Sequence, residues 1–241
     1  EAVRQRAQAL AASATTAGAP QGIRLDPLNP TVTDAAVTYS AISLTYNRDK
    51  RTAELIVHAP SGSQPDSVEA IVKAGDQFWP LRALRELDDA LLRLRLNEQQ
   101  IGTIVIKTEG DPEAVLAIDR TLAANQSHWL VREITLLIKR TLKRLDLTSR
   151  TFFACIEPGS AFAGSLFELA LAADRSYMLD DPERDNFVWL SPLNGGLLRM
   201  SNGLSRLQTR FLGDEATVAE LLAHTEPFSA SDALEEGLVT F

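Results

Sequence analysis

An α/β fold assembled from βαβ units is the class this sequence predicts, on three observations. Residues 103–107 (TIVIK) and 151–156 (TFFACI) are short, apolar and rich in β-branched or aromatic side chains, the signature of strands covered on both faces of a parallel sheet. Leu81, Leu84, Leu87, Leu91 and Leu94 recur at intervals of three and four, as do Leu130, Ile134, Leu137, Ile138, Leu142 and Leu145, so each set marks one apolar stripe of a helix. Strand patterns thus alternate with helix patterns, which implies right-handed crossovers between parallel strands.

Taken in order, residues 1–13 read as an amphipathic helix, followed by a loop rich in Ala, Gly, Pro and Asn that runs to Pro30. Residues 1–30 are therefore expected to be a linker helix and loop from a preceding domain, and residues 31–241 the domain proper. Residues 39–46 (YSAISLTY) and 51–59 (RTAELIVHA) alternate around the polar turn NRDK and predict an antiparallel hairpin. A loop with Pro60, Gly62 and Pro65 leads into the first long helix, then TIVIK, the second long helix and TFFACI. Glu157-Pro158-Gly159-Ser160 breaks that strand, a helix is expected over 165–173, and FVWL (187–190) predicts a further strand. Glu1 falls inside a helical pattern and Phe241 at the start of a strand pattern, so both ends read as cut and the domain as truncated at its C-terminus.

With 241 residues, 45% of them hydrophobic and 23% charged, the chain can bury one substantial core. No apolar run has the length of a membrane span, and the first residues carry charge where a signal peptide is apolar. The lone Cys155 excludes an internal disulfide and fits a reducing compartment, so a soluble cytoplasmic protein is predicted. Its apolar surroundings make Cys155 a small buried hydrophobe. A net charge of −8 argues against nucleic acid as the main partner. His58, His128 and His224 lack metal-ligand spacing and no metal site is expected. Lys139, Arg140, Lys143 and Arg144 form a cluster on one helix, read first as a solvated face and second as a dock for phosphate.

Chemistry concentrates in residues 156–178 (IEPGSAFAGSLFELALAADRSYM), where a strand end, a small-residue loop and a helix start follow one another. The amides of Gly164 and Ser165 stand at the helix N-terminus, where unpaired donors and the macrodipole can hold developing negative charge. In an oxyanion hole one such donor is worth about 3 kcal/mol of barrier. The small residues serve equally well to turn the chain and seat the helix. Glu157, at a strand's carboxyl end where α/β ligands bind, is a candidate second acid.

GSLFELALAAD (164–174) resembles the helix-opening motif of enoyl-CoA hydratases and other crotonases, and SASDALEEGLVT (229–240) is similar to a second crotonase pattern. SPLNGGLLRMSNGLSRLQTRFLG (191–213) stands where those proteins carry a glycine-containing loop and an Arg-Leu helix. WPLRALRELDDALLRLRLNE, IGTIVIKTEGD and HWLVREI extend the resemblance to the benzoyl-CoA-dihydrodiol lyases, a crotonase family whose chain resembles two crotonase units in tandem. The resemblance implies a crotonase-like (ClpP/crotonase) fold and the second of those units, with an upstream crotonase-like unit of the same polypeptide as partner and a homo-oligomeric assembly. It implies an acyl-CoA thioester substrate, with coenzyme A carried by the substrate and no separate cofactor. The activity implied is hydrolytic ring cleavage of 2,3-epoxy-2,3-dihydrobenzoyl-CoA to 3,4-dehydroadipyl-CoA semialdehyde and formate. On this resemblance Glu168 takes the position of a catalytic glutamate and Gly164 and Ser165 that of the thioester-binding amides.

Two departures point the other way. TEGDPEAVLAID (108–119) replaces the segment that supplies a crotonase's other oxyanion donor, and Pro192-Leu193 stands where hydratases place their second glutamate, with no acid until Asp214. A degenerate, non-catalytic half that scaffolds an upstream unit is the alternative, and a free-standing hydratase or isomerase fits the missing glutamate least.

Overall fold

The computed structural model describes residues 1–13 and 22–241. Helix α1 (Ala2–Ser13) forms as predicted, but none of its residues is buried. Of the expected linker, residues 14–21 lie outside the described residues. Residues 22–30 have no regular structure and are held against the domain, where the Asp26 amide donates to Asp76 (2.7 Å) and Arg85 donates to the Asp26 carbonyl (2.7 Å).

One seven-stranded sheet forms the body, its strands in sequence order. Strands β1 (Thr31–Val32), β2 (Ala36–Thr38), β3 (Ile42–Asn47) and β4 (Thr52–His58) are antiparallel neighbours, so the predicted hairpin is β3–β4. Strands β5 (Thr103–Glu109), β6 (Thr151–Ile156) and β7 (Arg175–Met178) then add in parallel to β4. Between β4 and β5 lie α2 (Val68–Ala74) and α3 (Trp79–Leu96); between β5 and β6 lie α4 (Pro112–Ala124) and α5 (Trp129–Asp146); α6 (Gly164–Ala172) joins β6 to β7. Helices α3, α5 and α6 match the predicted ones. Neither α4 nor β7 was expected from the pattern, although Asp111 followed by Pro112 is a helix start: the Asp111 carboxylate accepts the Glu113 amide (2.9 Å).

The even advance of the parallel strands decides where the core lies. Right-handed crossovers that always step to the next strand keep every helix on one face, because only a reversal of strand order carries helices to the other side. Ala53, Leu55, Val57, Ile104, Ile106, Phe152, Ala154 and Ile156 are buried on that face, whereas Glu54, Ile56, Val105, Lys107, Phe153 and Cys155 alternate with them and stay half-exposed. The expectation of strands covered on both faces is corrected accordingly: TIVIK and TFFACI are covered on one. Glu86 of α3, 1% exposed, pins the hairpin to the helix layer by accepting the Ala41 amide (2.7 Å), the Ser40 hydroxyl (2.6 Å) and Arg82 Nε (2.9 Å).

The rest of the chain covers the helix layer near α6. FVWL contributes strand β8 (Phe187–Val188), which pairs antiparallel with β9 (Phe228–Ser229) in a separate ribbon rather than joining the main sheet. A 3₁₀ turn (Pro192–Gly195), α7 (Arg206–Arg210), α8 (Glu215–Ala223) and α9 (Ala230–Glu235) complete it. Among the described residues no helix is long and apolar enough to cross a membrane.

Candidate functional site

Helix α6 starts abruptly because Gly164 adopts φ +49°, a conformation that side chains disfavour, directly after the extended Ala163. Its N-terminal amides point not into a cleft but into the protein. The Gly164 amide donates to the Trp189 carbonyl (2.9 Å), and the Ser165 amide donates to Oδ2 of Asp119 on α4 (2.6 Å). Ser191 Oγ donates to the same Asp119 oxygen (2.7 Å). Asp119 is fully buried, and a Cβ on Gly164 would lie 2.0 Å from Asp119 Oδ2 and 2.8 Å from Ser191 Oγ. The positive end of α6 is thus neutralised by a carboxylate of the chain itself.

That carboxylate is held at a cost. Asp119 Oδ1 is buried without a hydrogen-bond partner, and burial pushes the carboxyl up to about 6 although Ser165 and Ser191 donate to it.

Glu168, one turn further, is 1% exposed and has both oxygens engaged. Asn194 Nδ2 donates to Oε1 (2.7 Å) and Arg206 Nη1 donates to Oε2 (2.7 Å). Arg206 also grips Asp146 at the end of α5, through Nη2 to Oδ2 (2.7 Å) and Nε to Oδ1 (3.2 Å), so one guanidinium bridges two carboxylates. Burial raises the Glu168 carboxyl above the usual range, while Arg206 and Asn194 pull it back. Asn194 also donates to the Gly164 carbonyl (3.0 Å) and accepts the Ser191 amide (2.7 Å), so the 3₁₀ turn is laced to the first turn of α6.

The structure brings Gly164, Ser165 and Glu168 together on α6, and leaves Glu157 apart. The Glu157 carboxylate pairs with Lys107 (3.0 Å) in a shallow depression of about 170 Å³ on the open face of the sheet, beside Glu54, Cys155 and Ser160. A cavity of about 540 Å³ lies elsewhere, under α8, lined by Glu220, Glu226, Asp232 and Glu236 with His224 and Phe228. Four carboxylates disfavour the phosphates of coenzyme A there. The basic cluster on α5 is partly spent on packing, since Arg144 Nε donates to Asp88 of α3 (2.6 Å) and Arg140 lies 3.8 Å from the same carboxylate. His58 lies between Ser43 (2.9 Å) and Glu109 (3.3 Å), and among the described residues no group of three or more His, Cys, Asp or Glu is placed to hold a metal.

Sequence reasoning missed Asp119, Asn194, Arg206 and Asp146 as members of this cluster. Asp119 did carry a signal: it lies three and four residues after Leu116 and Val115, on the apolar stripe of α4, where an acid is out of place unless it is paired inside. The others acquire meaning only through contacts spanning 26 to 60 residues.

No family model matches the chain. Over all 241 residues it is 44% identical to a benzoyl-CoA-dihydrodiol lyase from Aromatoleum evansii, and it spans 43% of that relative's length. A solved enoyl-CoA hydratase from Geobacillus kaustophilus HTA426 superimposes with a TM-score of 0.57 at 18% identity, over 85% of this chain and 69% of that one. An enoyl-CoA hydratase/carnitine racemase from Magnetospirillum magneticum gives a TM-score of 0.54 at 18% identity, over 84% and 67%. At those identities the structures speak for the fold alone. The chain is a crotonase-fold unit, related along its whole length to one segment of the benzoyl-CoA-dihydrodiol lyases.

Proposed function

We propose that this chain is a unit of a benzoyl-CoA-dihydrodiol lyase in which it scaffolds the active site rather than carrying it. In this reading residues 1–30 connect it to an upstream crotonase-like unit, residues 31–241 are the domain, and the complete enzyme opens the ring of 2,3-epoxy-2,3-dihydrobenzoyl-CoA with water. The observation that supports a scaffold is the Asp119 carboxylate on the Ser165 amide (2.6 Å), at the position where an acyl-thioester oxygen would have to sit. The Gly164 amide is spent on Trp189, and Glu168 is buried with one oxygen held by Asn194 and the other by Arg206.

One observation favours a second reading. Asp119 Oδ1 has no partner, so its carboxylate is held at the junction through one oxygen only. If a thioester displaced it, the Ser165 amide would face the thioester oxygen, joined by the Gly164 amide only once its bond to the Trp189 carbonyl opened as well, with Glu168 as proton carrier and Glu157 available as a second acid only after a rearrangement across the sheet.

Calorimetric titration of benzoyl-CoA into the chain separates the two. The scaffold reading expects no binding to the chain, and unchanged turnover when Glu168→Gln is made in a complete lyase that still folds. Binding to the chain that is lost in Ser165→Pro, which removes the amide, would overturn it in favour of the second reading.

A further inference from the structure

Residues 22–30 reach β1 as irregular chain, and their own sequence stiffens them. Pro27 and Pro30 fix their own backbone and keep the residues ahead of them, Asp26 and Asn29, out of the helical region. Exposure alternates over this stretch: Asp26, Leu28 and Pro30 are half-buried, whereas Leu25, Pro27 and Asn29 face solvent. Ile23 packs against the core. A segment restricted in this way has little conformational entropy left to lose on docking.

Asp26 is gripped through its backbone alone. Asp76, on the 3₁₀ turn Gly75–Gln77 ahead of α3, accepts the Asp26 amide at 2.7 Å, and Arg85 Nη2 on α3 donates to the Asp26 carbonyl at 2.7 Å. The Asp26 side chain is engaged elsewhere, by the exposed Arg24 at 3.0 Å. An acceptor for the N–H and a donor for the C=O of one residue is what a neighbouring β-strand offers, and here two side chains supply it. Asp76 is 6% exposed and its other oxygen is held by Gln77 Nε2 (2.9 Å). Arg85 Nη1 lies 3.5 Å from Asp76 without a hydrogen bond, so among the described residues the Asp26 carbonyl is the one acceptor that Arg85 has. Both side chains therefore lose a partner in a nearly dry place if the segment leaves. The Asp26 amide is also the foremost of the donors that hold the Asp76 carboxyl below the usual range. We propose that residues 22–30 are a docked strap, with Asp76 and Arg85 as the clip that fixes it. The folding unit then begins at residue 22 rather than at β1, and the polypeptide ahead of it arrives at a fixed point, the corner between α2 and α3. What the clip fits is an extended backbone, whatever side chain stands at position 26. The inference goes beyond the scaffold reading and is independent of it, because neither Asp119 nor Glu168 enters.

NMR of the ¹⁵N-labelled 241-residue chain tests it through backbone heteronuclear NOEs and amide exchange. The expected NOEs of residues 22–30, prolines aside, equal those of α3, and the Asp26 amide is protected from exchange. Asp76→Ala and Arg85→Met should each lower those NOEs and speed exchange at Asp26 at least about tenfold, while the amides of β5 and β6 keep their protection. Asp76→Asn retains an acceptor oxygen and should keep most of the protection at Asp26, which loss of packing alone does not explain. Thermal melts identify any variant that fails to fold, and the NOEs of the unaltered chain decide the matter without one. NOEs over residues 22–30 well below those of α3 in the unaltered chain overturn the proposal. Exchange at Asp26 that is indifferent to both disruptive variants, or a loss in Asp76→Asn equal to that in Asp76→Ala, overturns the clip.

Discussion

Oδ2 of Asp119 lies 2.6 Å from the amide nitrogen of Ser165, so a carboxylate from α4 closes the N-terminus of α6 from within. The same oxygen takes the Ser191 hydroxyl (2.7 Å), and the other finds nothing. This arrangement satisfies the helix end at the expense of burying a charge, and the expense is measurable.

Asp119→Asn is expected to remove a pH dependence. The folded-state carboxyl sits at about 6 against an ordinary 3.8, so its contribution is fully present below about pH 4 and is lost as the pH rises through 6. The shift of roughly two units corresponds to about 3 kcal/mol. Urea unfolding of both proteins from pH 4 to 8 should show the difference moving in favour of the Asn variant by that order, while the Asn oxygen still accepts the Ser165 amide. A constant difference across the range would refute the assignment.

Gly164→Ala should be strongly destabilising, by about 3 kcal/mol or more. The added methyl meets Asp119 Oδ2 at 2.0 Å and Ser191 Cβ at 2.9 Å, in a backbone conformation with φ +49°. Because the clash expels Asp119, hydrogen exchange at the Ser165 amide should accelerate more than at the neighbouring amides of α6, which NMR resolves.

Arg206→Met leaves two acids facing each other in a dry interior, since the Arg206 and Glu168 side chains are 2% and 1% exposed. The expected loss is about 3–5 kcal/mol. Adding Glu168→Gln removes one of the orphaned charges, so the double variant should be more stable than Arg206→Met alone. That double-mutant cycle is read from denaturation midpoints, and additive losses would mean that the two side chains do not interact.

Glu86→Ala tests the clamp between helix and hairpin. It leaves the buried Ala41 amide and the Ser40 hydroxyl without their acceptor, for a loss of about 2–4 kcal/mol. Exchange of the Ala41 amide should rise before that of the β5 and β6 amides, because the damage begins at the hairpin.

Much of this fold is readable from local pattern. The three-and-four spacing of α3 and α5, the alternation of β3 and β4 and the apolar runs of β5 and β6 are periodicities of one chain segment, decided by which side chains water excludes. The small-residue junction before α6 is equally local, and it placed Gly164, Ser165 and Glu168 on one helix end. What that end does is not local. Asp119 fills it from 46 residues away, Asn194 and Arg206 seal Glu168 from 26 and 38, and no spacing in the sequence announces a carboxylate that will occupy an amide. The covering of the sheet is also a tertiary decision. An apolar strand reads the same whether one face or two will be buried, and only the unbroken order of β4 to β7 sends every helix to one side and leaves Phe153 and Tyr177 toward solvent.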